Sequence, residues 1–170
     1  MDIFYLYIDD YINAGIINGG TKHEKEHNAG LYIVEYAAKK YFHIENSEIE
    51  VINNKPEFKF ADVHFSISHS HNIAAVCFDF NDVGFDIEII KNRDWLNIAE
   101  RMNFKLKENS IEEFYKCWTK YEAEFKLQKQ ANSIKSMIFK DEKTSVQEYA
   151  VSIASYDTAE IKSEFHRISI

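Results

Sequence analysis

Hydrophobic and polar residues alternate most regularly between Val83 and Ile90. Val83, Phe85, Ile87 and Ile89 fall on one side of the alternation, and Gly84, Asp86 and Glu88 on the other. A strand does this, because its successive side chains point to opposite faces. The same reading makes strands of Ile3 to Ile8, of residues 49–53, of the stretch carrying Val63, Phe65 and Ile67, and of Ile73 to Phe80. Asn18-Gly19-Gly20 and Asn81-Asp82 are turns, and Asn53-Asn54-Lys55-Pro56 and Ser68-His69-Ser70-His71-Asn72 are loops. Thr21 with Glu24, and Ser110 with Glu113, have capping-box spacing. They open helices expected to run to about Phe42 and about Lys129, with a short helix between Trp95 and Met102. Three strands near 134–140, 146–154 and 161–169 complete the chain. The order is helix then strands, twice over, which predicts an α+β fold of two similar helix-plus-three-strand halves, residues 1–90 and 91–170, packed as a pseudo-dimer around a cleft.

At about 100° per residue, Ile111, Phe114, Tyr115, Trp118, Tyr121 and Phe125 share one face of the second long helix. Glu122 falls inside that apolar stripe. A buried carboxylate needs a cation, a metal or a proton. Lys126, one turn on, suits either an intrahelical pair with Glu122 or a site shared with it.

The 170 residues carry 45% hydrophobic and 15% aromatic side chains and a single proline, a globular composition. A net charge of −8 argues against a general nucleic-acid binder. No apolar run approaches the roughly 20 residues that span a bilayer. The acidic start MDIFYLYIDD lacks the basic region of a signal peptide. Cys77 and Cys117 sit in apolar patterns without metal-ligand spacing and are expected to be buried free thiols. A cytoplasmic protein is expected from these features, one that does not bind membranes or nucleic acid and that acts as a monomer.

Asp86 and Glu88, two residues apart on one strand face, have Cα atoms roughly 6.6 Å apart. Such a pair marks either a solvated strand face or a site for a hard cation such as Mg²⁺, which prefers carboxylate oxygens. Gly84 beside them leaves room for a ligand to reach the backbone. On the second reading Glu122 is a third carboxylate. His69, between Ser68 and Ser70, suits a phosphate if the loop presents its hydroxyls and N–H groups, or is simply structural. His23 and His27, four residues apart, have no further zinc ligands in view.

Three motifs occur in an order that resembles the 4′-phosphopantetheinyl transferases, specifically the two-lobed type that activates peptide and polyketide synthetases. Phe65-Ser66-Ile67-Ser68-His69-Ser70 is similar to that family's FNISHS-like segment, and Val83-Gly84-Phe85-Asp86-Ile87-Glu88 to its (I/V)G(I/V)DIE. Trp118 to Lys126 is similar to W(S/T)xKEAxxK. Asn54-Lys55-Pro56 resembles its GKP, and Phe104 to Glu108 its FxxxE. The resemblance implies Mg²⁺ on Asp86, Glu88 and Glu122, and coenzyme A in the cleft contacted by Lys55, Ser68 and His69. It implies Glu122 and Lys126 as catalytic groups and an apo acyl or peptidyl carrier protein as partner. Tyr121 stands where the family usually has lysine and Asn28 where it has arginine, and after Lys126, where the family usually has a glycine pair, the chain reads LQKQANS. These departures leave a second expectation: a relative that binds coenzyme A or a carrier without transfer.

Overall fold

The computed structural model describes residues 1–141 and 147–170. Among these the fold is mixed α+β, with four helices and three small sheets. The chain runs β1 (Asp2–Tyr7), α1 (Ile8–Asn13), α2 (Lys22–Tyr41), β2 (Ile49–Ile52), β3 (Lys55–Phe58), β4 (His64–Ser70), β5 (Ile73–Asp79) and β6 (Val83–Ile89). It continues through α3 (Trp95–Arg101), α4 (Ile111–Leu127), β7 (Ser133–Lys140), β8 (Glu148–Ser155) and β9 (Glu164–Arg167). Residue 146, the expected start of the strand that became β8, lies outside the described residues.

One sheet has the order β4-β5-β1-β9 and another β6-β8-β7. Pairing therefore crosses the expected boundary at residue 90 in both directions: β6 joins β8, and β9 returns to run parallel to β1. The alternation seen in the sequence explains the layers. Ile3, Tyr5, Ile73, Ala75 and Cys77 of the first sheet meet Val83, Phe85, Ile87, Val151 and Ile153 of the second in one buried core. Phe4, Leu6, Val76 and Phe78 face the other way, against Ala29, Ile33, Val34 and Ala37 of α2. Helix α4 covers the outer face of the second sheet.

The capping box at Thr21 and Glu24 is complete, with Glu24 N–H donating to Thr21 Oγ1 and Thr21 N–H to Glu24 Oε2. At α4 half of the expected box forms: Glu113 N–H donates to Ser110 Oγ, while Glu113 Oε1 accepts from Lys107 N–H. The expected loop at Asn53–Pro56 is instead a hairpin. Asn53 and Asn54 both take left-handed φ, 52° and 66°, as a type I′ turn requires, and β3 starts at once with Lys55. The short helix α1 was not foreseen. Both cysteines are free, but only Cys77 is fully buried; Cys117 lies on a partly exposed side of α4. No helix among the described residues is long and apolar enough to cross a membrane.

Candidate active site

Helix α4 lies on β6 far more closely than its aromatic residues suggest. Its buried side consists of Phe114, Tyr115, Thr119, Ala123 and Leu127. Tyr121 and Phe125, expected in the apolar stripe, are 46% and 72% exposed. The reason is Gly84. A methyl group there would overlap the Ala123 carbonyl oxygen and lie 2.7 Å from Leu127 N. Only small residues fit where two backbones approach this closely, so Thr119 and Ala123 face the sheet there and the rings of Tyr121 and Phe125 turn outward. Gly84 thus makes room for a helix and not, as expected, for a ligand. The polar face of β6 is not a solvated strand face either: Asp86 is buried under α4, 5% exposed.

This packing brings the sequence-predicted residues together. A cavity of about 360 Å³ is lined by Ser68 and His69 from β4, Asp86 and Glu88 from β6, and Trp118, Glu122 and Lys126 from α4. Lys126 Nζ donates to Asp86 Oδ1 at 2.8 Å, as does Ser68 Oγ at 2.7 Å. Lys126 therefore pairs with Asp86 across the site and not with Glu122 along its own helix. Asp86 Oδ2 is buried and accepts no hydrogen bond among the described residues. Ser70 Oγ donates to Glu88 Oε2 at 2.7 Å. Burial pushes the Glu88 carboxyl above the usual carboxylate range; the Ser70 hydrogen bond opposes the shift and the Asp86 charge adds to it. Burial and then the Asp86 charge push Glu122 up as well, against Lys126. No side-chain hydrogen bond or ion pair holds Glu122 among the described residues.

His69 lies within β4, in register with Ala74 of β5, and not in a loop. The serine-rich composition suggested a connection, but the strand alternation continues through it, and the turn is only His71 and Asn72. His69 Nδ1 lies 3.6 Å from Glu26 Oε2 of α2. Burial lowers the imidazole pKa, Glu26 opposes this, and Lys126 reinforces it. Glu26 was missed in the sequence. Its signal was available, since it shares the buried face of α2 with Ala29, Gly30 and Ile33, just as Glu122 interrupts α4. His23 and His27 stack on each other on the exposed side of that helix.

Lys55 stands apart from this cavity. Its ammonium is buried between Glu57 Oε1 at 2.9 Å and Asp82 Oδ1 at 3.5 Å, in geometry that makes ion pairs without a directed hydrogen bond. It lines a second cavity of about 730 Å³ together with Asn53, Pro56, Phe125 and Gln128. The two cavities share Ile67 and Lys126. His64 lies 3.2 Å from both Glu57 and Asp82, and Lys129 also pairs with Asp82. Glu57, His64 and Asp82 present ligand atoms within 4.8 Å of one another, as do Asp2, Glu164 and His166. Asp86, Glu88 and Glu122 form a more open set.

The donor chemistry of that open set fits a hard divalent cation. All three side chains offer oxygen, one buried oxygen of Asp86 has no donor, and a single lysine stands against three carboxyl groups in one cavity. Of the departures from the transferase pattern, Tyr121 and Asn28 line neither cavity, while Gln128 and Lys129 line the larger one. Tyr121 is exposed and packs against Phe104, and Asn28 donates to the Asn18 carbonyl. No family model matches the chain, and neither does any curated protein.

Proposed function

We propose that the protein transfers 4′-phosphopantetheine from coenzyme A to a serine of an apo acyl or peptidyl carrier protein. The observation that carries this reading is the cavity where β4, β6 and α4 converge, because the three motifs that resemble the transferases supply all eight of its lining residues: Ile67, Ser68, His69, Asp86, Glu88, Trp118, Glu122 and Lys126. The topology supports it too. In β1-α2-β4-β5 the first strand pairs with the last, and the last with the second; in β6-α4-β7-β8 the pairing is the same. Two such βαββ units side by side fit the pseudo-dimer expected of a two-lobed transferase.

Asp86, Glu88 and Glu122 would hold Mg²⁺, which would neutralise charge on the pyrophosphate of coenzyme A. The rest follows from the chain's own groups. Glu122 lines the cavity and no side chain among the described residues pairs with it, so it is suited to take the proton of the carrier serine. The serine oxygen bonds to the phosphorus that carries pantetheine. The bond from that phosphorus to the bridging oxygen breaks, and adenosine 3′,5′-bisphosphate leaves. Lys126 donates its N–H groups to the departing phosphate. His69 and Ser68 border the same cavity, where His69 would meet the 3′-phosphate. Lys55 lies along the larger neighbouring cavity, on the side where the nucleotide would extend.

Intact-protein mass spectrometry tests the proposal. After incubation with Mg²⁺, coenzyme A and an apo acyl carrier protein, the carrier gains the mass of phosphopantetheine, and EDTA prevents the gain. No gain on any of several carriers overturns transfer. Binding of coenzyme A that survives in that case points to the non-catalytic relative.

A further inference from the structure

Strands β4 and β6 run side by side in the same direction, yet they belong to different sheets and share no backbone ladder. Serine hydroxyls join them. Phe85 N–H donates to Ser66 Oγ at 3.0 Å, Ile87 N–H to Ser68 Oγ at 3.3 Å, and Ile89 N–H to Ser70 Oγ at 3.0 Å. The constant spacing of 19 residues keeps every second residue of β4 on the seam.

A hydroxyl has one proton and two lone pairs. Each backbone N–H occupies a lone pair and leaves the proton to be donated elsewhere. Ser68 and Ser70 aim theirs at Asp86 Oδ1 and Glu88 Oε2, both at 2.7 Å. Ser66 makes the same backbone bond, but the residue that matches Asp86 and Glu88 in its register is Gly84, which has no side chain to receive a proton. The seam thus separates two roles. All three serines join the strands, and two of them also orient a carboxylate.

We propose that Ser70 is a positioning residue for the cation site: by binding one oxygen of Glu88 it turns the other toward the cavity. The inference rests on the reading of Asp86, Glu88 and Glu122 as cation ligands, and it goes beyond that reading because Ser70 does not line the cavity. Groups that orient metal ligands in this way typically contribute about 10–100-fold to affinity.

Mn²⁺ binding to the full chain, followed by electron paramagnetic resonance of the free ion, tests this without any turnover. Ser70→Ala is expected to weaken Mn²⁺ binding about 10-fold or more. Ser66→Ala loses an equivalent backbone bond and should leave Mn²⁺ affinity unchanged, while lowering the melting temperature as Ser70→Ala does. Ser70→Thr, which keeps the hydroxyl, should restore binding. If Ser70→Ala does not fold, Ser70→Cys carries the same test, because a thiol is a weak donor. Wild-type affinity in Ser70→Ala overturns the inference, and so does an equal loss in Ser66→Ala, which would make the seam itself responsible. Absence of Mn²⁺ binding by the wild type overturns the cation reading together with this inference. Tight wild-type binding that Ser70→Ala leaves intact overturns this inference alone.

Discussion

Gly84 of β6 lies directly against the Ala123 carbonyl of α4, with no space for a methyl group between them. The added carbon of Gly84→Ala would meet the α4 backbone at Ala123 and Leu127 and not a movable side chain. Overpacking of this kind costs about 1–3 kcal/mol, and the rigid surroundings place this substitution at the upper end. Urea denaturation should show the loss. Because α4 carries Glu122 and Lys126, any residual folded protein should also lose the proposed affinity for coenzyme A.

Lys126→Met leaves Asp86 buried with one fewer donor. Breaking a fully buried pair costs about 3–5 kcal/mol. The lysine side chain is 29% exposed, so water softens the loss to roughly 2–3 kcal/mol. Removing both charges, in Asp86→Asn with Lys126→Met, should restore most of the stability while abolishing transfer. Denaturant midpoints of the two variants check this directly.

Glu122 contributes a pH dependence of definite sign. Its carboxyl pKa is raised in the folded protein, so the folded state keeps its proton to higher pH than the unfolded chain does. That stabilisation is present below the ordinary carboxylate pKa and is lost as pH rises through the folded value. Glu122→Gln removes the ionisation. Between about pH 4 and about pH 8, wild type should fall in melting temperature relative to the variant. A variant that stays level with or below wild type at the high end contradicts the prediction.

Lys55→Met tests the structural role of this lysine apart from the proposed nucleotide contact. Its ammonium compensates Glu57 and Asp82, which lie 15% and 19% exposed. The substitution should destabilise the protein by about 1–3 kcal/mol even without coenzyme A present, as expected for buried charged groups left without a partner. Thermal melts of the free protein measure this.

Much of the site was visible in the chain. The two-residue alternation placed Asp86 and Glu88 on one face, and the misplaced Glu122 marked the side of α4 that meets them. What misled the reading was side-chain size. Hydrophobic periodicity favours Tyr121 and Phe125 as core residues, whereas a helix seated on glycine buries alanine and threonine. The continuation of β4 through His69 was also hidden, because Ser68 and Ser70 look like loop residues until the parallel neighbour β6 supplies N–H groups for them. Lys55 illustrates a different gap. Its motif suggested a ligand contact, but its ion partners Glu57 and Asp82 come from a hairpin and a distant turn that local pattern could not bring together. The return of β9 to the first sheet had no signal of its own, since a four-residue edge strand carries too few positions to show where it pairs.

The parallel pairing of β1 with β9 sets Asp2 beside Glu164. During synthesis the exposed edge of β1 therefore waits until nearly the whole described chain has emerged. Closing so long a loop is slow, and an open strand edge attracts other chains meanwhile. Refolding should be less prone to aggregation when the segment bearing β9 is supplied early, as a separate peptide, than when the chain lacks it.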